Sequence, residues 1–165
     1  MDDSTGRWPP PPAGTWVVDL DGVVWLTDQP VPGSADAVAA LRRVGVRVLF
    51  VTNNSQPTLA ELVGRLDRVG IEASADDLVT SGQAAATLLA PGARALVLGG
   101  GGVVESLTAR GVEVVELPPV DAVVVGWTRQ FDFDRLAAAA TAVRAGATLV
   151  GTNDDPTFPT PGRLL

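Results

Sequence analysis

Asp19 and Asp21 stand two positions apart at the end of an apolar run, Thr15-Trp16-Val17-Val18, with Gly22 directly behind them. Side chains at i and i+2 of an extended segment share a face, so both carboxylates can address one ligand. Gly22 lets the backbone turn tightly and come close to that ligand. Further along, Thr52-Asn53-Asn54-Ser55 ends a second apolar run. Its hydroxyl and amide donors, with turn-end backbone N–H groups, suit phosphate oxygens. Each stretch also has a plainer account: an Asp-Gly turn for the first and a polar strand-end loop for the second.

Composition narrows the chemistry. The 165 residues suffice for one domain or one and a fraction, and 46% hydrophobic with 19% charged residues is the balance of a folded, soluble protein. No run approaches the ~20 apolar residues of a membrane span, and the acidic N-terminus has no secretory h-region. Cysteine is absent, which removes disulfides and thiolate metal sites and fits a cytoplasmic location. Histidine is absent too, which removes imidazole acid–base chemistry, Ser-His triads and imidazole metal ligands. All twelve basic residues are arginine. What remains is carboxylate, hydroxyl, amide, Arg and hard-cation chemistry. The net charge of −7 argues against nucleic acid as a partner.

For the two stretches to face one ligand, the elements around them must bring residues 19 and 52 to the same edge. Residues 16–19 read as a buried central strand of a parallel sheet, ending at the crevice where open α/β sheets bind ligands. Residues 25–32 read as a loop. Ser34 reads as the N-cap of a helix with the stripe Ala37, Val38, Leu41 and Val44, ended by Gly45. Strand 46–51 follows, and such a strand–helix–strand unit is a right-handed crossover between parallel neighbours. Asp19 and Thr52 then leave the same sheet edge, which raises both stretches above their plainer accounts.

Thr58 caps a second helix through Leu59, Leu62, Val63, Leu66 and Val69, stopped by Gly70; a short strand at 78–80 and a short helix at 82–90 follow. Pro91-Gly92 breaks the pattern and marks an expected domain boundary. Beyond it, strands at 94–98, 112–116, 122–125 and 148–151 combine with helices at 103–109 and 133–145. The run Gly99-Gly100-Gly101-Gly102 fails as a dinucleotide fingerprint: residue 104 is Val where glycine is required, and no acidic ribose ligand follows. It reads instead as a flexible turn. Residues 1–14, with Pro9-Pro10-Pro11-Pro12, read as a disordered leader, and 156–165 as a Pro-rich end without a helix.

The strand-borne Asp19-Leu20-Asp21-Gly22-Val23, followed in order by Thr52-Asn53-Asn54-Ser55, resembles motifs I and II of the haloacid dehalogenase superfamily of phosphatases. Four further features make the chain similar to subfamily IIA, the 4-nitrophenylphosphatase, phosphoglycolate and pyridoxal phosphatase type. They are Pro32-Gly33, Thr80-Ser81, Val124-Val125-Gly126, and Gly151-Thr152-Asn153-Asp154-Asp155-Pro156 with Pro159-Thr160. The resemblance runs over residues 15–165. Asp154 departs from the pattern, since the subfamily often has Pro there.

The resemblance implies an α/β fold: a Rossmann-like parallel sheet forming a partial core over 15–90, then an α/β cap over 91–165, incomplete at the C-terminus. It implies a Mg²⁺-dependent phosphatase acting on a small phosphorylated metabolite through an aspartyl phosphate. Asp19 would be the nucleophile, and Asp21 would protonate the leaving oxygen and later activate water. Mg²⁺ would be held at Asp19 and Asp21, by the carboxylate of the first and the backbone carbonyl of the second. Leu20 and Gly22, with Thr52, Asn53 and Asn54, would hold the phosphoryl oxygens. In the cap, Trp127, Phe158 and Pro159 are candidates for touching the leaving group, each with core or hinge packing as the competing account. No membrane partner is expected, and self-association through the cap is left open. Asp154 and Asp155 admit a second reading as the family's motif IV metal ligands. The family's motif III lysine has no counterpart among these residues, so the 165-residue chain is expected to be weakly active or inactive. The alternative is a non-catalytic, degenerate phosphatase that binds a phosphometabolite or a partner chain. A phosphoacceptor receiver module fits less well, because it would need acids on several strands and a lysine.

Overall fold

The computed structural model describes residues 14–27 and 29–155, and the backbone alone of 159–160 and 163–164. Strand β1 (Thr15–Asp19) leads through a small antiparallel hairpin, β2 (Trp25–Leu26) and β3 (Gln29–Pro30), into α1 (Ser34–Arg43) and β4 (Arg47–Thr52). Helix α2 (Leu59–Arg68), β5 (Leu78–Thr80) and α3 (Ser81–Ala86) follow. The chain then runs through β6 (Arg94–Leu98), α4 (Gly101–Ala109), β7 (Glu113–Val115), β8 (Ala122–Val125), α5 (Phe133–Arg144) and β9 (Thr148–Gly151). A backbone hairpin, β10 (Pro159–Thr160) and β11 (Arg163–Leu164), comes last. Two parallel sheets result, ordered β1-β4-β5 and β7-β6-β8-β9. The expected α/β, Rossmann-like class is the one observed. Residues 1–13, and the side chains of Phe158 and Pro159, lie outside what is described.

In the first sheet β1 pairs with β4, Asp19 opposite Val51, and β4 pairs with β5, Thr52 opposite Thr80. Both crossovers place their helices on one face, where Val48 and Phe50 meet Val38 of α1 and Leu62 and Leu66 of α2 in one buried cluster. Among the described residues β1 pairs with β4 alone, where a central strand was expected, and Val17 keeps 63% of its surface exposed on the face opposite the helices. An apolar β-branched run reports strand character; which neighbours flank that strand is a matter of sheet order, which local pattern does not encode.

Two local expectations also change. Residues 25–32 are not a plain loop: Val31 N–H donates to the Val24 carbonyl at 2.9 Å and extends the β2–β3 hairpin. Strands of two residues are too short to show a period-2 pattern. Ser34 does not cap α1. Gly33 takes that position at φ 83°, a left-handed conformation that favours glycine, and the Ser34 hydroxyl donates instead to the Val24 carbonyl at 3.2 Å. α1 is thereby tied to the hairpin.

α2 begins as expected. Thr58 Oγ1 accepts from Glu61 N–H at 3.2 Å, and Glu61 Oε2 accepts from Thr58 N–H at 2.8 Å, a complete capping box. Thr58→Ala is expected to cost about 1 kcal/mol and lower Tm by roughly 3 °C, with Thr58→Ser near neutral, as read by thermal unfolding.

The second sheet is covered on both faces. Ala139 and Ala142 of α5 pack with Leu96, Leu98 and Val123 on one side, and Val103 and Leu107 of α4 with Val97 and Val124 on the other. Ala85, Ala86 and Leu89 belong to that latter cluster. Helix α3, which directly follows a strand of the first sheet, is therefore buried against the second. Among the described residues, no helix is long and apolar enough to cross a membrane.

Candidate active site

Parallel pairing of β1 with β4 fixes the site. With Asp19 opposite Val51, the next residues, Leu20 and Thr52, leave the same sheet edge. Leu20 is fully buried, and its carbonyl accepts from Val23, Val24 and Trp25 N–H groups at 3.3, 2.9 and 3.2 Å. The chain curls back at once, with Gly22 at φ 86°, a conformation that strains any residue with a Cβ. The Asp-Gly pair is thus a turn as well as a site, and its plainer account is contained in the functional one.

The curl aims Asp21. Trp25 Nε1 donates to Asp21 Oδ1 at 3.1 Å, and Thr52 Oγ1 donates to Asp21 Oδ2 at 3.2 Å. One donor per oxygen holds the carboxylate in a single orientation. Thr52 Oγ1 also accepts from Asn54 N–H at 3.0 Å, so its one proton is engaged at Asp21 and its lone pair at the loop. Trp25 is buried, with the Arg65 guanidinium 4.5 Å from its ring centre; Arg65 also donates to the Thr27 carbonyl at 2.5 Å. The sequence reading missed Trp25. Its position four residues after Asp21 was the available signal, but only the curl at Leu20 turns that spacing into a contact.

Asp19 remains exposed at the end of β1, yet its carboxyl is partly shielded. Burial holds it above the ordinary carboxylate range, the Leu20 N–H works in the opposite sense, and the negative charge of Asp21 adds to the rise. Two carboxylates repelling one another across a sheet edge form a site that gains from a cation.

The remaining expected residues are placed as follows. Asn53 Nδ2 donates to Asp155 Oδ2 at 2.6 Å, and the Asn53 carbonyl accepts from Ser81 Oγ at 2.8 Å. Asn54 Oδ1 accepts from Gln56 N–H at 3.1 Å. Trp127 lies just beyond β8, with the Arg129 guanidinium 5.5 Å from its ring centre. Among the described residues no three acidic side chains are grouped to hold a cation. Asp155 Oδ2 accepts from Asn53 Nδ2.

Residues 16–113 match the family of haloacid dehalogenase-like hydrolases. The chain is 44% identical over 160 residues to the D-glycerol 3-phosphate phosphatase of Mycobacterium tuberculosis, covering 90% of this chain and 43% of that protein. It is 37% identical over 147 residues to an acid sugar phosphatase of Staphylococcus saprophyticus, covering 87% of this chain and 57% of that protein. Among solved structures, it superposes on the M. tuberculosis glycerol phosphate phosphatase crystallised with calcium at a TM-score of 0.83 and 39% identity. That match covers 92% of this chain and 46% of the other. The p-nitrophenyl phosphatase of Archaeoglobus fulgidus matches at a TM-score of 0.83 and 30% identity, over 93% of this chain and 60% of that one. The fold and the paired aspartates at the sheet edge agree with these matches: the chain belongs to the haloacid dehalogenase-like hydrolases. Its relatives are of the subfamily IIA type that the residues resemble. It spans about half the length of the curated relatives it matches.

Proposed function

We propose that the chain carries the nucleophile half of a phosphomonoesterase acting on a small phosphorylated metabolite. The observation that carries this reading is the clamped Asp21 carboxylate, held by Trp25 and Thr52 and set two residues from a less constrained, partly desolvated Asp19. Asp19 Oδ attacks phosphorus while the bond to the leaving oxygen breaks, and Asp21 gives that oxygen its proton. Water then attacks the aspartyl phosphate, Asp21 takes the water's proton, and inorganic phosphate leaves with the Asp19 carboxylate restored. Thr52 serves chiefly to orient Asp21. The Leu20 N–H, with Asn53 and Asn54, supplies the phosphoryl-oxygen donors in this reading, whereas the Gly22 N–H, also expected there, donates to the Trp25 carbonyl at 2.6 Å and is not among them.

The donor set fits Mg²⁺. Hard carboxylate and carbonyl oxygens at Asp19 and Asp21 suit an ion that keeps several waters and binds through one or two carboxylates plus substrate phosphate. Solved relatives hold calcium or magnesium. When bound, the ion would offset the charge between Asp19 and phosphate. Residues 15–90 are read as the core and 91–165 as the cap, with Trp127, Phe158 and Pro159 as the candidates to touch the leaving group. The exposed Phe131, Phe133 and Leu136 provide an apolar surface for self-association of that cap. A cytoplasmic setting completes the reading.

Hydrolysis of 4-nitrophenyl phosphate is the test. Turnover by the 165-residue chain is expected to be slow, since no lysine offsets the charge on Asp19 and phosphate. It is expected to vanish in chelator and to return with added Mg²⁺. Phosphate binding with no turnover above that of Asp19→Asn would instead establish the non-catalytic alternative.

A further inference from the structure

We propose that Ser55 and Thr152 are positioning residues for the phosphate-binding loop, and that through them the second sheet sets that loop's geometry. This rests on the phosphate-site reading above. Ser55 Oγ and Thr152 Oγ1 lie 2.8 Å apart, both buried, joining positions 97 residues apart in the chain. Thr152 is itself anchored, its N–H donating to the Val125 carbonyl at 2.9 Å. A buried hydroxyl that loses its partner bears an uncompensated desolvation cost, so each hydroxyl holds the other in place.

The rest of the loop is gripped from the same side. Gly102 N–H donates to the Gln56 carbonyl at 2.9 Å, and Glu105 Oε2 accepts from Leu59 N–H at 2.8 Å. Helices α2 and α4 thus each receive a first-turn cap from the other's side of the seam. A Cβ on Gly126 would stand 2.7 Å from Ser55 Oγ, and one on Gly100 would stand 2.8 Å from Gln56 Cα. With Ser81 and Asp155 holding Asn53, contacts from beyond β5 reach Asn53, Ser55 and Gln56. Asn54 is held locally, by Thr52 and Gln56. Ser55 lies three residues past Thr52, and the backbone between them carries the Asn54 N–H that Thr52 accepts. Shifting Ser55 therefore moves the donors at 53 and 54 and loosens the hydroxyl that aims Asp21.

Titrating inorganic phosphate into the 165-residue chain with Mg²⁺, followed by ³¹P NMR beside thermal unfolding, separates positioning from mere stability. Thr152→Val and Ser55→Ala are each expected to weaken phosphate about tenfold, and the double variant no more than either alone. Thr152→Ser, which keeps the hydroxyl, is expected to restore affinity to within about twofold. Val38→Ala, a core truncation in α1, is expected to lower the melting temperature and leave phosphate affinity at the wild-type value. The inference is overturned if Thr152→Val binds phosphate like the wild type, if Thr152→Ser fails to restore it, or if Val38→Ala weakens it equally. Should the wild type not bind phosphate, the phosphate-site reading itself falls, and the positioning role with it.

Discussion

Asp19→Asn is expected to cut 4-nitrophenyl phosphate turnover by at least about a thousandfold while phosphate binding survives. Asparagine keeps the side-chain shape, but its amide oxygen is a far poorer nucleophile than a carboxylate. It also removes one negative charge facing an anionic ligand, so phosphate affinity should hold or rise. Paired measurement of turnover and phosphate affinity decides the matter, and retained turnover eliminates Asp19 as nucleophile. Stability should move in the opposite sense to activity. Folded Asp19 holds its proton more tightly than the unfolded chain does, so metal-free stability falls as pH rises from the ordinary carboxylate range through the raised value. At neutral pH the ionised group is a net cost, kept to a fraction of a kcal/mol by its exposure. In chelator, Asp19→Asn is therefore expected to raise Tm by about 1 °C.

Gly102→Ala is expected to destabilise the protein by about 3 kcal/mol, lowering Tm by roughly 6–10 °C, whereas its neighbour Gly101→Ala stays within ~0.5 kcal/mol of wild type. A Cβ at 102 would fall 2.7 Å from the Ser55 carbonyl oxygen and closer still to that of Pro57; both are backbone atoms that cannot rotate away. At 101 the nearest atom is the Thr58 methyl at 3.5 Å, an ordinary contact. Neither glycine has a positive φ, and both lie in α4. The glycine run is therefore not the flexible turn read from sequence; at 100 and 102 it is a close approach of two backbones. Equal tolerance of alanine at the two positions, read by thermal unfolding, would show that the seam is not tight. Loss of phosphate affinity with Gly102→Ala would link the seam to the phosphate loop.

Much of the site was legible because its chemistry is local. Asp19, Asp21 and Gly22 lie within four residues, and Thr52 to Ser55 within another four, so type and spacing alone exposed them. The strand–helix–strand pattern then placed 19 and 52 on one edge, and the parallel register between Asp19 and Val51 agrees with it. Capping signals are equally local: Thr58 with Glu61 could be read directly, whereas Gly33 displaced Ser34 because the serine hydroxyl found a longer-range partner in the Val24 carbonyl.

What sequence by itself determined, then, is which residues are candidates for the chemistry, which segments are strands and helices, and which family they resemble. Tertiary structure alone decided that α3 packs on the second sheet, that Trp25 aims Asp21, and that Ser55 meets Thr152. The physical reason is one of range. Periodicity, caps and turns are set by interactions within a few residues, so they leave a signature in the order of amino acids. A glycine that admits a backbone from 45 positions away, like a hydroxyl paired across 97, leaves none, since its requirement is stated by atoms that only the folded chain brings near.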